Sequence, residues 1–380
     1  MASTLRQSKQ RLPQGWWLYG RDLELARQLQ VQRIAGCKSG EVQAFEIAQL
    51  TYLGDYSTCY QWLDRTNASQ FRFGRQAKCR ALLAQGRLEG WHALADQSAL
   101  EQLREIEELL SRSGKGLVID LVGGIGDQLQ TAALVMTLNT CGSFQSRLWL
   151  RPCESNAHLV ADWLQSTRAS EYLVWPDNEI VGFCPSPYFR ALLSGTNEVL
   201  DYQPLAEAAV GQTAEANCKH ILCCWRTKPD RLNPLTSFSR SLPFPTLISA
   251  LEQWQPVLEE RGIRLQDLSD YTKEEQELLQ LRFPFVEFIR REVRSLADTY
   301  GYIGQCKHII SVDTSLTHLA AISGRQVHLL LPLFPDERWV ELLAVRGVYR
   351  DWVIPHRQTR FHDWDAPLRS VADALGFVLA

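Results

Sequence analysis

Three stretches of this chain carry side chains whose types and spacing could do chemistry. The first is Gly123–Gly124–Ile125–Gly126–Asp127. Glycines in a turn let the backbone approach a ligand closely. The aspartate that closes the turn can take a proton from an incoming hydroxyl. The spacing, GGxGD, departs from the dinucleotide fingerprint, and the plain alternative is that Asp127 caps a helix by accepting from the amides of Leu129 or Gln130. The second stretch is Val312–His318, VDTSLTH. Asp313, Thr314 and Ser315 stand where an apolar run gives way to helical spacing, and a helix amino end offers unpaired amides and partial positive charge, which suits phosphate. The alternative is that Asp313 and Thr314 only cap that helix and His318 is a surface residue. The third stretch is the loop from Arg226 to Arg240, with Lys228 and Arg231 among Pro, Asn and Ser. Cations after a strand suit a diphosphate, whereas scattered charges on a solvated surface are the ordinary case.

These residues need strands and helices to position them. Leu117–Val122 reads as a strand, followed by the glycine turn and a helix with Leu129, Ala132, Ala133 and Met136 at helical spacing. Residues 147–152 and 171–176 read as further strands, and the segment through Pro185, Pro187, Gly195 and Pro204 as loop. Residues 220–225 read as the strand that feeds the basic loop. After it come a helix over Thr246–Arg261, a short strand over Arg264–Ser269, a helix around Lys273–Leu281 and a helix over Ser295–Gly304. Ile309–Val312 is a short apolar run of the kind a buried parallel strand shows. Leu316, Leu319, Ala320 and Ala321 continue as helix, Gly324 stops it, and Val327–Leu331 is the next strand. The alternation predicts an α/β fold with parallel sheets, in which ligands bind at the carboxyl ends of the strands.

The first third differs. It is rich in Leu, Ala, Gln, Glu and Arg, which favours helix. Gly20, Gly54 and Gly86 each precede a helix-like run at intervals of 34 and 32 residues, close to the period of tetratricopeptide helix pairs. A plain helical bundle is the other reading. An amphipathic helix with Leu100, Leu103, Ile106, Leu109 and Leu110 closes the segment before Gly114 and Gly116.

Composition narrows the function. The net charge of −3 gives no electrostatic reason to expect nucleic acid. The ten cysteines show no CxxC pair, so buried thiols are expected rather than a zinc or redox site. No apolar run reaches the roughly 18 residues of a membrane span, and the amino end lacks the apolar core of a secretory signal. The expected location is cytoplasmic, with peripheral membrane association left open.

Together, GGIGDQLQTAALV, the basic loop ending in SRSLPF, SLADTYGYIGQCKHIISVDTSLTHLAAISGRQVHLLLP and LFPDERWVE resemble glycosyltransferase family 9, the heptosyltransferase-like enzymes, and among them members fused behind tetratricopeptide repeats. The resemblance implies a GT-B architecture of two Rossmann-like domains facing across a cleft. It divides the chain into residues 1–113 (helical), 114–212 (acceptor side) and 213–380 (donor side). It implies an inverting transfer from a nucleotide-diphosphate sugar to an acceptor hydroxyl on a glycan, lipopolysaccharide or protein, with no metal or other cofactor. Asp127 takes the place of the general base. Gly124, Gly126, Lys228, Arg240, Asp313, Thr314, Ser315 and His318 take the places of the nucleotide-sugar site. The Asp363–Trp364–Asp365 triplet has the DxD form that holds a metal in some glycosyltransferases, but its place in the tail reads as loop. Val348–Trp352 replaces the family's usual Trp-Tyr-Pro. That departure, and above all the shortness of the first α/β domain, keeps a second reading alive: a non-catalytic scaffold whose helical region recruits a protein partner. A dehydrogenase is disfavoured, because no acidic residue appears about 20 positions after the glycine turn.

Overall fold

The computed structural model describes residues 23–142, 144–153, 157–193, 219–227, 240–306, 308–336, 338, 339, 349 and 352–377. Its larger sheet is built from the apolar runs of the C-terminal half: β4 (His220–Cys224), β5 (Arg264–Asp267), β6 (Val286–Phe288), β7 (His308–Val312), β8 (Val327–Leu331) and β9 (Val353–Arg357). The order is β6-β5-β4-β7-β8-β9, every pair parallel. The order reverses between β4 and β7, and in open sheets of this kind that crevice receives the ligand. Val327–Leu331 is buried at every position, as expected for a strand covered on both faces. A helix follows most strands: α9 (Phe244–Arg261), α10 (Lys273–Arg282), α11 (Leu296–Gln305), α12 (Ser315–Ile322) and α13 (Asp365–Ala374). The Asp of the LADT run has a local job. Asp298 accepts the Ser295 amide while the Ser295 hydroxyl accepts the Asp298 amide, closing a capping box on α11.

The smaller sheet has the order β2-β1-β3, again parallel, with β1 (Gly116–Leu121), β2 (Leu148–Pro152) and β3 (Ile180–Pro185). Helix α6 (Ile125–Cys141) leaves β1, α7 (Ala157–Gln165) leaves β2 and α8 (Ser186–Leu193) leaves β3. Here two sequence expectations fail. Residues 171–176 are not a strand, because the Thr167 hydroxyl accepts the Ala169 amide and starts a 3-10 turn over Arg168–Tyr172. Val174 is left 78% exposed. The third strand is Ile180–Pro185, in the stretch read as loop. It is an edge strand whose apolar run is interrupted by Gly182 at its centre and closed by Pro185.

The amino-terminal helices are α1 (Leu23–Ala35), α2 (Gly40–Tyr52), α3 (Tyr56–Arg65), α4 (Arg72–Leu83) and α5 (Gln97–Ser113), with a 3-10 segment at Leu88–Leu94. Gly20 lies outside the described residues. Gly54 and Gly86, at φ 65° and 75°, lie between helical runs: they follow α2 and α4 as left-handed glycines do and precede α3 and the 3-10 segment at Leu88–Leu94. Leu109, assigned to the apolar face of α5, is 48% exposed. The core runs across residue 113: Cys79, Leu83, Trp91, Ala99 and Leu103 share one buried cluster with Leu117, Ile119 and Leu121 of β1. Farther out, Ile34, Ile47, Leu50 and Leu63 form a separate small core. The large cluster also contains Leu129 and Ala133 of α6 with Leu316 and Leu319 of α12, so the two sheets are joined through these helices.

Several described thiols are buried as the scattered cysteines suggested, and burial pushes Cys59 and Cys184 up to about 12. No described helix is long and apolar enough to cross a membrane.

Candidate active site

At the switch point of the larger sheet, β7 ends in Asp313–Thr314 and α12 begins. Thr314 has the extended backbone of a cap residue, φ −139° and ψ 172°, yet its side chain does not bond a helix amide. Its hydroxyl lies 3.0 Å from that of Ser311 instead. The Thr317 amide donates to the Thr314 carbonyl at 3.1 Å, and the cap residue's side chain takes neither the Ser315 nor the Leu316 amide, the two that stand at the helix end where an anion would bind. The Thr317 hydroxyl donates back to Val312 at 3.1 Å and fixes the turn from below.

Asp313 is 3% exposed and accepts from Arg240 at 3.3 Å. Burial alone would raise its pKa, but Arg338 and Arg240 outweigh it and hold the carboxyl below its ordinary value. His318 is not the surface residue of the plain alternative, since it is 1% exposed. Its ring stacks on Trp339 at 5.2 Å, and its Nδ1 lies 3.4 Å from the Tyr349 hydroxyl. Burial, with Arg338 next, pushes its pKa down to about 3. The imidazole is therefore neutral, and its 4.0 Å approach to Asp313 is not an ion pair. Its Nε2 is buried with no hydrogen-bond partner.

The glycine turn sits opposite. Gly123 takes φ 99°, a conformation that favours glycine, and Gly124 caps α6. Asp127 is the third helical residue. One of its oxygens accepts the Gly124 amide at 3.0 Å, so the capping alternative is realised through Gly124 and not through Leu129 or Gln130. The other oxygen accepts from Arg338 at 2.5 Å, and Arg338 also holds Asp336 at 3.1 Å. The Asp127 side chain remains 44% exposed. Gly126 does not face an open ligand space: a β-carbon there would lie 2.5 Å from Cδ2 of His318. It is glycine because the two halves touch at that point.

The fold thus brings Gly124, Gly126 and Asp127 to Asp313, His318 and Arg240. Lys228 and Arg231 lie outside the described residues. Arg226 is held by Glu275 at 2.7 Å. A cavity of about 360 Å³ opens on the Asp127 side. Its walls are the carboxyl ends of β1 and β3 (Val122, Gly123, Ser186), the first turns of α6 (Asp127, Thr131), Asp336 and Arg338, and the amino-terminal helices; Asp313, Thr314, Ser315 and His318 do not line it. Among the described residues no cluster of three His, Cys, Asp or Glu side chains is arranged to hold a metal ion. The Asp363–Asp365 triplet forms the turn into α13, Asp363 accepting the Asp365 amide at 3.1 Å.

Sequence reasoning passed over Arg338, Asp336, Trp339 and Tyr349. The first three were visible only as the DxRW part of the family resemblance, with no role attached. Tyr349 stands in the stretch that departs from the family pattern and has φ 74°, uncommon for a tyrosine.

No family model matches the chain, and no curated protein matches it. Among solved structures, it is similar to E. coli heptosyltransferase WaaC with ADP-2-deoxy-2-fluoro heptose, at 13% identity and a TM-score of 0.42, over 68% of this chain and 98% of that one. It is similar to E. coli ADP-heptose LPS heptosyltransferase II at 13% identity and 0.41, over 69% and 98%. A glycosyl transferase of family 9 from Veillonella parvula follows at 11% and 0.35, over 70% and 90%. Likeness at this level assigns no activity, which has to be argued from the side chains.

Proposed function

We propose that the protein is a glycosyltransferase of the GT-B kind, moving a sugar from a nucleoside-diphosphate sugar to an acceptor hydroxyl with inversion. One observation carries this reading. The carboxyl-end turns of two parallel sheets meet, Gly126 against His318, and Arg338 holds Asp127 at the junction. The donor diphosphate lies at the amino end of α12, where amides and Arg240 stabilise the charge that grows on the leaving group. The acceptor lies in the cavity at the ends of β1 and β3. Its hydroxyl oxygen attacks the anomeric carbon from the face opposite the diphosphate. The carbon–oxygen bond to the diphosphate breaks, its electron pair leaves with the phosphate, and the hydroxyl proton passes to Asp127. Arg338 aims the carboxylate through one oxygen, and the exposed part of the side chain faces the incoming hydroxyl.

Two measurements test this. Calorimetry with ADP, UDP and GDP should show binding of one of them, weakened by Arg240→Ala. Asp127→Asn should lower turnover by roughly 10²–10⁴, the usual contribution of a general base, while nucleotide affinity holds. Full turnover in Asp127→Asn refutes the base assignment. The scaffold reading has one observation in its favour: both Asp127 oxygens already have partners. It requires that no nucleoside-diphosphate sugar is turned over.

A further inference from the structure

Arg338 is a charge that both halves of the site share. It bonds Asp127 on one side. On the other, burial works against the Asp313 carboxylate, and Arg338 with Arg240 outweighs it. The place of this guanidinium is set by the loop before it. The Trp339 amide donates to the Asp336 carbonyl at 2.9 Å and closes a turn, and the Asp336 carboxylate accepts from Arg338 at 3.1 Å. Arg338 therefore goes where Asp336 goes. The stretch that leads to Asp336 is Pro332–Leu333–Phe334–Pro335. Its two prolines have no amide hydrogen to donate, so other parts of the chain hold it. The donor half takes Leu333 by both backbone groups: the amide donates to Gln358 at 3.1 Å and the carbonyl accepts from Arg357 at 2.9 Å. The next two carbonyls, of Phe334 and Pro335, accept from Arg80 of α4 at 3.2 and 2.5 Å. The helical region is built around that contact. Arg80 is 3% exposed, and its guanidinium lies 3.8 Å over the Tyr52 ring. The Phe334 ring sits where Gly54 has no side chain, since a β-carbon there would lie 2.1 Å from it. Arg27 of α1 donates twice to the Leu53 carbonyl, at 3.0 and 2.8 Å, and so fixes the turn that receives the ring.

We propose that Arg80 is a positioning residue for the site: through the Phe334 and Pro335 carbonyls it fixes Asp336, and through Asp336 it keeps Arg338 on Asp127. Arg80 itself touches no reacting group. An arginine suits the task, because its guanidinium stays charged and presents several donors in a rigid fork. A buried guanidinium that has given up water needs those carbonyls in return, so the loop has one favoured seat. Without Arg80 the chain gains freedom after Leu333, the turn at Asp336 moves with it, and Arg338 exchanges Asp127 for water. That Asp127 serves as a base rests on the transferase reading above; that Arg80 sets the place of its partner does not.

The test is amide hydrogen exchange of the full chain without ligand, read by mass spectrometry, in Arg80→Met, Phe334→Ala, Arg338→Met and the double variant Arg80→Met with Arg338→Met. Arg80→Met should speed exchange roughly tenfold or more, the scale of one lost hydrogen bond to a charged group, in the loop at 333–336 and also in the first turn of α6, where Asp127 lies. Phe334→Ala loosens the loop and leaves Arg80 in place. It should have the same effect to a smaller degree, and it carries the test if Arg80→Met does not fold. In the double variant the first turn of α6 should exchange no faster than in Arg338→Met alone, because one route cannot be lost twice. Unchanged exchange at α6 in the folded variants overturns the proposal, as do effects that add in the double variant. An equal increase in β4 and β5 marks general loosening and also overturns it. Calorimetry with ADP, UDP and GDP reports separately on the transferase reading. If none of them binds while the effect on α6 stands, that reading fails and the positioning role of Arg80 remains.

Discussion

At Gly126 the absence of one carbon holds the two halves together. A methyl group there would meet a packed imidazole ring at 2.5 Å, not the free end of a long side chain, so α6 and α12 would have to separate. Gly126→Ala should destabilise the protein by about 1–3 kcal/mol, the usual cost of overpacking, measured by urea denaturation. An unchanged midpoint would show that the helices have room to move. A different residue-scale effect comes from the buried histidines of β8 and β9. His328 Nδ1 lies 3.1 Å from His356 Nε2, and His356 reaches Ser370 at 2.8 Å. Burial lowers both pKa values to about 4. The unfolded chain therefore takes up protons that the folded chain refuses as pH falls from about 6.5 towards 4, and stability falls with it. Urea midpoints should drop between about pH 7 and pH 4.5, and replacing His328 with Leu should flatten that slope. A slope unaffected by the substitution would place the sensitivity elsewhere.

At the scale of elements, legibility followed burial. Four strands of the larger sheet could be read from their runs because a parallel strand covered on both faces is buried at every position, as Val327–Leu331 shows, whereas β6 (three residues) and β9, whose exposed Pro355 and Arg357 break the run, could not. Ile180–Pro185 pairs on one side only, and its short apolar run is broken by Gly182 and followed by Pro185 and Pro187, whose punctuation read as loop. Within the site, Asp127, Asp313 and His318 announced themselves because a turn between a strand and a helix has a local pattern. Arg338 did not, because its meaning lies in a contact with a residue 211 positions away, and no window of sequence contains both. The helical segment is the remaining case. Its amphipathic pattern told that Gln97–Ser113 is a helix but not that its inner face completes the core under β1. A chain that starts at Ser113 would leave Leu117, Leu121 and Phe189 without that cover, and should be insoluble or expanded. A soluble monomer that binds nucleotide with full affinity would show that the helices are dispensable.

At the scale of the whole molecule, two sheets, each with its order reversing beside a helix amino end, are fixed face to face with the helical region braced against both. The brace has a particular character. Arg80 grips the loop before Asp336 by carbonyl oxygens, its guanidinium lies 3.8 Å over the Tyr52 ring, and Arg357 adds a further bond to the Leu333 carbonyl at 2.9 Å. Carbonyls are the same whatever residue carries them. The course of that backbone is set by Pro332 and Pro335, whose rings fix φ, and Phe334 is fixed by its fit against Gly54. A change in the loop's length would break the grip at once. The loop before Asp336 is thus held by its backbone: a new side chain is admitted only where it keeps that backbone's course, and an inserted residue is not admitted at all.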